Sequence, residues 1–157
     1  MRTKKDLVFN WKDIIIIIEF LIIVLGTFYS YAQFIESKNS QLARKNDLAI
    51  HYYDRLNSGT NEKIYLAIER KTPLMVENGG KFNDDQVDNY LGDLHDVGQD
   101  LYSDLLDGGK VCSNFSDFAI KTWDNSEIQG YLLKTRKEDL KYFLGFDDLY
   151  KYVKTCE

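Results

Sequence analysis

The stretch DIIIIIEFLIIVLGTFYSYAQF, Asp13 to Phe34, is apolar along most of its length and holds one carboxylate, Glu19. Ile14 to Phe34 is 21 residues, and a helix of that length spans about 30 Å, the thickness of a bilayer's hydrocarbon core. The segment therefore predicts a single transmembrane helix. Phe9 and Trp11 stand before it and Phe28, Tyr29, Tyr31 and Phe34 close it, as expected of rings that settle at headgroup depth. A buried helix of a soluble protein fits less well, because such helices are rarely this long and this apolar all round. A cleaved signal peptide stays open as a rival: Ser30-Tyr31-Ala32 supplies a small-x-small site behind a basic start, although the apolar run is long for an h-region and contains an acid.

Working outward, residues 1–13 form a basic tail with Arg2, Lys4, Lys5 and Lys12, suited to anionic headgroups. Lys38, Arg44 and Lys45 follow the span closely, so the charge asymmetry leans only mildly towards a cytoplasmic N-terminus in an inner (cell) membrane and leaves the side of the soluble domain open. After Glu19 come 16 basic and 22 acidic residues. That acidic balance argues against nucleic acid as a partner, since phosphate binding wants a basic face.

Glu19, Gly26 and Gln33 recur at intervals of seven, and Ser30 lies four beyond Gly26. A seven-residue repeat keeps one stripe towards a partner helix, and Gly26-x-x-x-Ser30 is a small-xxx-small pair that allows two backbones to approach closely in lipid. Glu19, Gly26, Ser30 and Gln33 are thus the candidate association seam, pairing either two copies of the chain or this chain with another membrane protein. The competing reading is that Glu19 only reaches back to the nearer headgroups.

Beyond the span no Pro or Gly interrupts the chain until Gly59, which predicts a helical stalk over 35–57 with Leu42, Ala49, Tyr53 and Leu56 on its buried side. A soluble helical domain is expected over 58–157. Thr60 is an N-cap candidate for a helix from Asn61 to Lys71, limited by Pro73. Asn83 with Gln86 reads as a capping box for a third helix over 84–106, whose stripe is Val87, Leu91, Leu94, Gly98, Leu101 and Leu105. A short aromatic helix through Phe115, Phe118 and Trp123, a helix from Asn125 to Leu144, and a final one after Gly145 follow. Strand signals are nearly absent, so the fold class is all-α: the transmembrane helix continues into the stalk and packs with a small bundle of four or five short helices.

The third helix aligns Asp93, Asp96, Asp100, Asp104 and Asp107. Like charges at such steps repel by a few tenths of a kcal/mol each, and three offsets are open: a basic stripe of Lys134, Lys137 and Lys141, a divalent cation, or a basic partner. A plain solvated face competes with all of them. The glycine turns NGGKF and DGGKV do not supply the carboxylates of a calcium loop: with Gly109 at the sixth loop position, Leu106 and Gly108 fall where ligands belong. Both turns read instead as helix stops. His51 and His95 accompany no recognisable nucleophile, zinc or phosphate-binding motif, and Cys112 reads as a small buried residue, a reactive thiol being the alternative. No enzyme activity, metal or cofactor is expected. Whether Cys112 and Cys156 are bridged depends on the compartment and stays open.

With Gly109-Lys110-Val111, the aromatic run Phe115 to Trp123 and the closing Phe146 to Leu149, the order of parts resembles a family of uncharacterised bacterial membrane-anchored helical proteins, a domain of unknown function. The resemblance implies the same architecture and no activity. The reading that results is a membrane-tethered interaction, scaffold or signal-relay module contacting lipid through its anchor. A toxin- or defence-type membrane effector that perturbs the bilayer is the alternative, and a secreted helical protein released by signal cleavage is the third.

Overall fold

The computed structural model describes residues 11–156; the basic tail expected over 1–13 lies outside the described residues as far as position 10. Among the described residues there are six α-helices, one short 3-10 turn and no strand. The all-α class read from the sequence is the observed one.

Helix α1 runs from Trp11 to Leu56. It tolerates Gly26 because a single glycine costs a helix interior only about 1 kcal/mol. The chain divides into two compact units between Gln41 and Leu42, inside the stretch expected as a stalk. In the first unit the apolar part of α1 is long and apolar enough to cross a membrane, and none of its most apolar stretch is buried. Ile22, Ile23, Leu25 and Phe28 are all more than 60% exposed.

The second unit contains the last part of α1 together with α2 (Gly59–Glu69), a 3-10 turn (Val76–Asn78), α3 (Asp84–Tyr102), α4 (Gly108–Trp123), α5 (Ser126–Thr135) and α6 (Leu144–Val153). Its core is built from one apolar face of each helix, with Tyr90, Phe115 and Phe146 the largest fully buried side chains. From α1 come Ala49, Tyr52 and Leu56, whereas Leu42 and Tyr53, expected on the buried side, are 53% and 41% exposed. The stripe of α3 is found as read for Val87, Leu91 and Leu94. Inside the core the Tyr90 hydroxyl and Thr122 Oγ1 satisfy one another at 2.8 Å, and Trp123 stacks on Tyr150 with ring centroids 4.5 Å apart. Val111, Phe115, Phe146 and Leu149 are all buried packing positions, whereas Gly109 and Lys110 are exposed.

Several helix ends differ from expectation, each for a local reason. The capping box is present: Asn83 Oδ1 accepts from Gln86 N–H and Gln86 Oε1 from Asn83 N–H. Helix α3 stops at Tyr102 rather than near Leu106 because Asp104 turns into the left-handed region at φ 56°; Leu105 then points outward and Leu106 takes the buried place. Gly108 and Gly109 open α4 instead of closing α3, since Asp107 Oδ1 accepts from Lys110 N–H and so caps the new helix. Ser58, not Thr60, occupies the N-cap position of α2. Helix α5 ends at Thr135, well before Leu144, and Arg136 pins the turns that follow by donating to the Tyr142 carbonyl at 3.0 Å and to Asp147 at 2.5 Å.

Helices α3 and α6 cross at two glycines. A β-carbon on Gly98 would land on the Gly145 carbonyl, and one on Gly145 would meet the His95 carbonyl and ring. His95 Nδ1 accepts the Gly145 N–H at 2.9 Å, so this histidine is committed to the crossing.

Candidate functional site: an exposed seam and an acidic ridge

In the first unit, Glu19, Gly26, Ser30 and Gln33 are all exposed on α1. At 100° per residue the four fall within about 60° of one another around the helix axis. Nothing within 4 Å would meet a β-carbon on Gly26, so the backbone there is open to close approach by a second helix. Thr27 returns its hydroxyl to the Val24 carbonyl at 2.7 Å and does not expose an unpaired donor.

In the second unit, Asp93, Asp96 and Asp100 lie on α3, whereas Asp104 and Asp107, expected on the same helix face, lie beyond its end at Tyr102 because the chain turns at Asp104. Polar groups from the last part of α1 meet several of these acids. Asp93 is buried; it pairs with the Arg55 guanidinium through one oxygen and accepts from Asn61 Nδ2 at 2.6 Å through the other. Asp100 accepts from the Tyr52 hydroxyl at 2.7 Å and Asp104 pairs with Lys45 at 2.6 Å. Asp107 caps α4, and Asp96 is half-buried beside them. Arg55, Tyr52 and Lys45 of α1 thus partner Asp93, Asp100 and Asp104, the last at a side chain that is 90% exposed. Of the basic stripe considered from sequence, Lys134 approaches Asp84 at 3.6 Å, while Lys137 and Lys141 lie beyond the end of α5.

The electrostatics follow from burial. Burial raises the Asp93 carboxyl, and Arg55 and Asn61 only partly counter it. Tyr52 is raised by burial and by its hydrogen bond to Asp100. On the far side, Lys121 donates to Asp117, Glu69 and Tyr65, and those bonds raise its pKa. Burial and the bond to Asp117 push Tyr65 up to about 12. Nucleophilic lysines need a shift the other way, so Lys121, which lines a cleft of about 630 Å³, is held in its charged form by its acidic partners. Among the described residues no three His, Cys, Asp or Glu side chains gather as metal ligands.

Cys112 and Cys156 form a disulfide with Cα atoms 5.8 Å apart. The bridge decides what the spacing left open, and it replaces the reactive-thiol alternative for Cys112. Two groups of residues escaped the sequence reading. Glu127 accepts from Leu74 N–H, Met75 N–H and Asn78 Nδ2, all within 2.9 Å, and so fixes the loop before α3. Lys63 and Arg70, from α2 and its C-cap, and Lys81, from the loop before α3, line one groove.

No family model, no curated protein and no solved structure matches this chain.

Proposed function

We propose that the chain is a single-pass, membrane-tethered helical interaction module. Its apolar α1 segment lies in the bilayer with the Trp11 end cytoplasmic, and the disulfide-closed unit stands on the oxidising side. One observation carries this reading: a long helix whose most apolar stretch is unburied among the described residues shares a chain with a compact unit closed by the Cys112–Cys156 bridge. Stable disulfides belong to oxidising compartments, which favours the outward side for Leu42 onward and agrees with the lean of the flanking charges. The seam of Glu19, Gly26, Ser30 and Gln33 supplies the association surface in lipid, where small residues permit close packing and a carboxyl is best placed against protein. On this reading Asp93 is an internal element, and half-buried Asp96 with exposed Asp104 and Asp107 are the acids left to meet a partner.

The test is association in a bacterial membrane, read by energy transfer between labelled copies or by co-purification with a membrane partner. Glu19→Leu and Gly26→Leu are expected to weaken association by about tenfold or more, as the loss of close packing implies. Unchanged association in both variants overturns the seam. Depolarisation of the host that depends on Glu19 would replace the tether with a membrane effector.

A further inference from the structure

One groove on the second unit has a charge character opposite to the rest of it. It lies between α2, the loop over 72–82 and the first turn of α3, with a volume of about 600 Å³. Lys63 and Arg70, seven residues apart, stand on one side and Lys81 on the other, and no carboxylate lines it. The domain as a whole is acidic. Lys45, Arg55, Lys121 and Arg136 each pair with an acid, while Lys71, Lys110, Lys137 and Lys141 make no ion pair among the described residues, so what sets this groove apart is that three cations and no carboxylate line it. Lys63, Arg70 and Lys81 make no ion pair among the described residues. Three cations held near one another without a counter-charge repel, and an anionic occupant would relieve that repulsion.

The groove is preorganised. Its loop is fixed by Glu127 and by backbone bonds that return Gly80 N–H to Met75 O and both Lys81 N–H and Phe82 N–H to Leu74 O. Gly79 holds φ 83° and gives its N–H to Val76 O. Because these N–H groups are spent, the loop offers no nest of free backbone donors of the kind that cradles a phosphate. Donors come instead from long side chains that line the groove together with the apolar Leu66, Pro73 and Phe82. An arginine fork and two ammonium groups beside apolar side chains complement carboxylates interleaved with apolar side chains, and the Thr60 hydroxyl and the Gln86 amide nitrogen, which also line the groove, can meet a peptide backbone.

We propose that this groove docks an acidic peptide segment of a partner protein, one that alternates carboxylate and apolar side chains. The proposal deepens the interaction-module reading by naming the partner's chemistry at a site separate from the α1 seam, and it stands on the groove alone if the seam fails.

The experiment uses the full chain in non-ionic detergent and a fluorescein-labelled peptide of alternating aspartate and leucine, with binding read by anisotropy. Binding is expected to weaken with salt. It is also expected to weaken by about tenfold or more, the effect of losing one desolvated charge contact, in each of Lys63→Glu, Arg70→Glu and Lys81→Glu. Lys137→Glu, the same charge change at another exposed lysine, is expected to leave binding unaltered. All four positions are exposed, and thermal melts of each variant confirm the fold. Equal loss in the Lys137 variant, or no loss in the groove variants, overturns the proposal. Groove-dependent binding of inorganic phosphate or of phosphatidylglycerol vesicles, with none of the peptide, overturns it in favour of a phosphate site. Self-association lost only in the groove variants would make the occupant a second copy and overturn a separate partner.

Discussion

Asp93 is 2% exposed, and its carboxylate survives there because Arg55 and Asn61 face it. Burial still outweighs both, so its folded-state pKa lies above the ordinary aspartate value of about 3.9. Folding then takes up a proton between those two values, and the stability this group contributes is complete below about pH 3.9 and lost as the pH rises through the folded value. Arg55→Ala removes the main attraction and leaves a buried charge uncompensated. The expected cost at pH 7 is about 2 kcal/mol, less than the ~3–5 kcal/mol of a fully buried pair because Arg55 is half in water. Asp93→Asn keeps the shape and removes the buried charge, so it is expected to cost under about 1 kcal/mol. Urea unfolding of both variants over a series of pH values from 7 downward checks this: the Arg55→Ala deficit should shrink as the pH falls and Asp93 takes up its proton. A deficit that grows on acidification contradicts the assignment.

At the scale of elements, the α3–α6 crossing rests on two glycines. Gly98→Ala places a β-carbon on the Gly145 carbonyl, and forcing the helices apart is expected to cost about 1–3 kcal/mol. Gly130, in α5, has nothing within 4 Å of its virtual β-carbon, so Gly130→Ala is expected to stabilise by about 0.5–1 kcal/mol. Thermal melts of the two variants should therefore move in opposite directions. Elements of this kind were legible in the sequence where the cause is local. The capping box at Asn83 and the apolar stripe from Val87 to Leu94 depend on residues three or four apart, and both are found. The Gly108-Gly109 pair was misread because a glycine pair closes one helix or opens the next equally well, and Asp107 as N-cap decides between them. The partners of the acidic ridge were out of reach. Tyr52 meets Asp100 across 48 positions and Lys45 meets Asp104 across 59, pairings that only the packed fold brings about. The groove of Lys63, Arg70 and Lys81 escaped for the same reason.

For the whole molecule, the Cys112–Cys156 bridge closes a segment with a sequence separation of 44 and ties the end of the chain beyond α6 back to α4. In the chain-entropy account, removing a cross-link of that span costs about 4 kcal/mol, a large share of the ~5–15 kcal/mol that holds a typical domain together. Reduction, or Cys112→Ser with Cys156→Ser, is therefore expected to lower the urea midpoint substantially and to loosen α6 first, which hydrogen exchange at Phe146 to Val153 would register. The same bridge bears on where the molecule lives. Among the described residues nothing buries its most apolar α1 stretch, and its folded unit carries a bond that a reducing compartment would not maintain.

The most direct measurement of that account is the intact mass of the full chain recovered from bacterial membranes, with free thiols alkylated and no reductant added. The account predicts a membrane-fraction protein of uncleaved mass, lighter by two hydrogens and carrying no alkyl group: a tethered chain with its bridge formed on the oxidising side. Two alkyl groups would place the folded unit in a reducing compartment, and a mass beginning near Ala32 or Gln33 would make the apolar stretch a removed leader. Either result contradicts the tethered, outward-facing module.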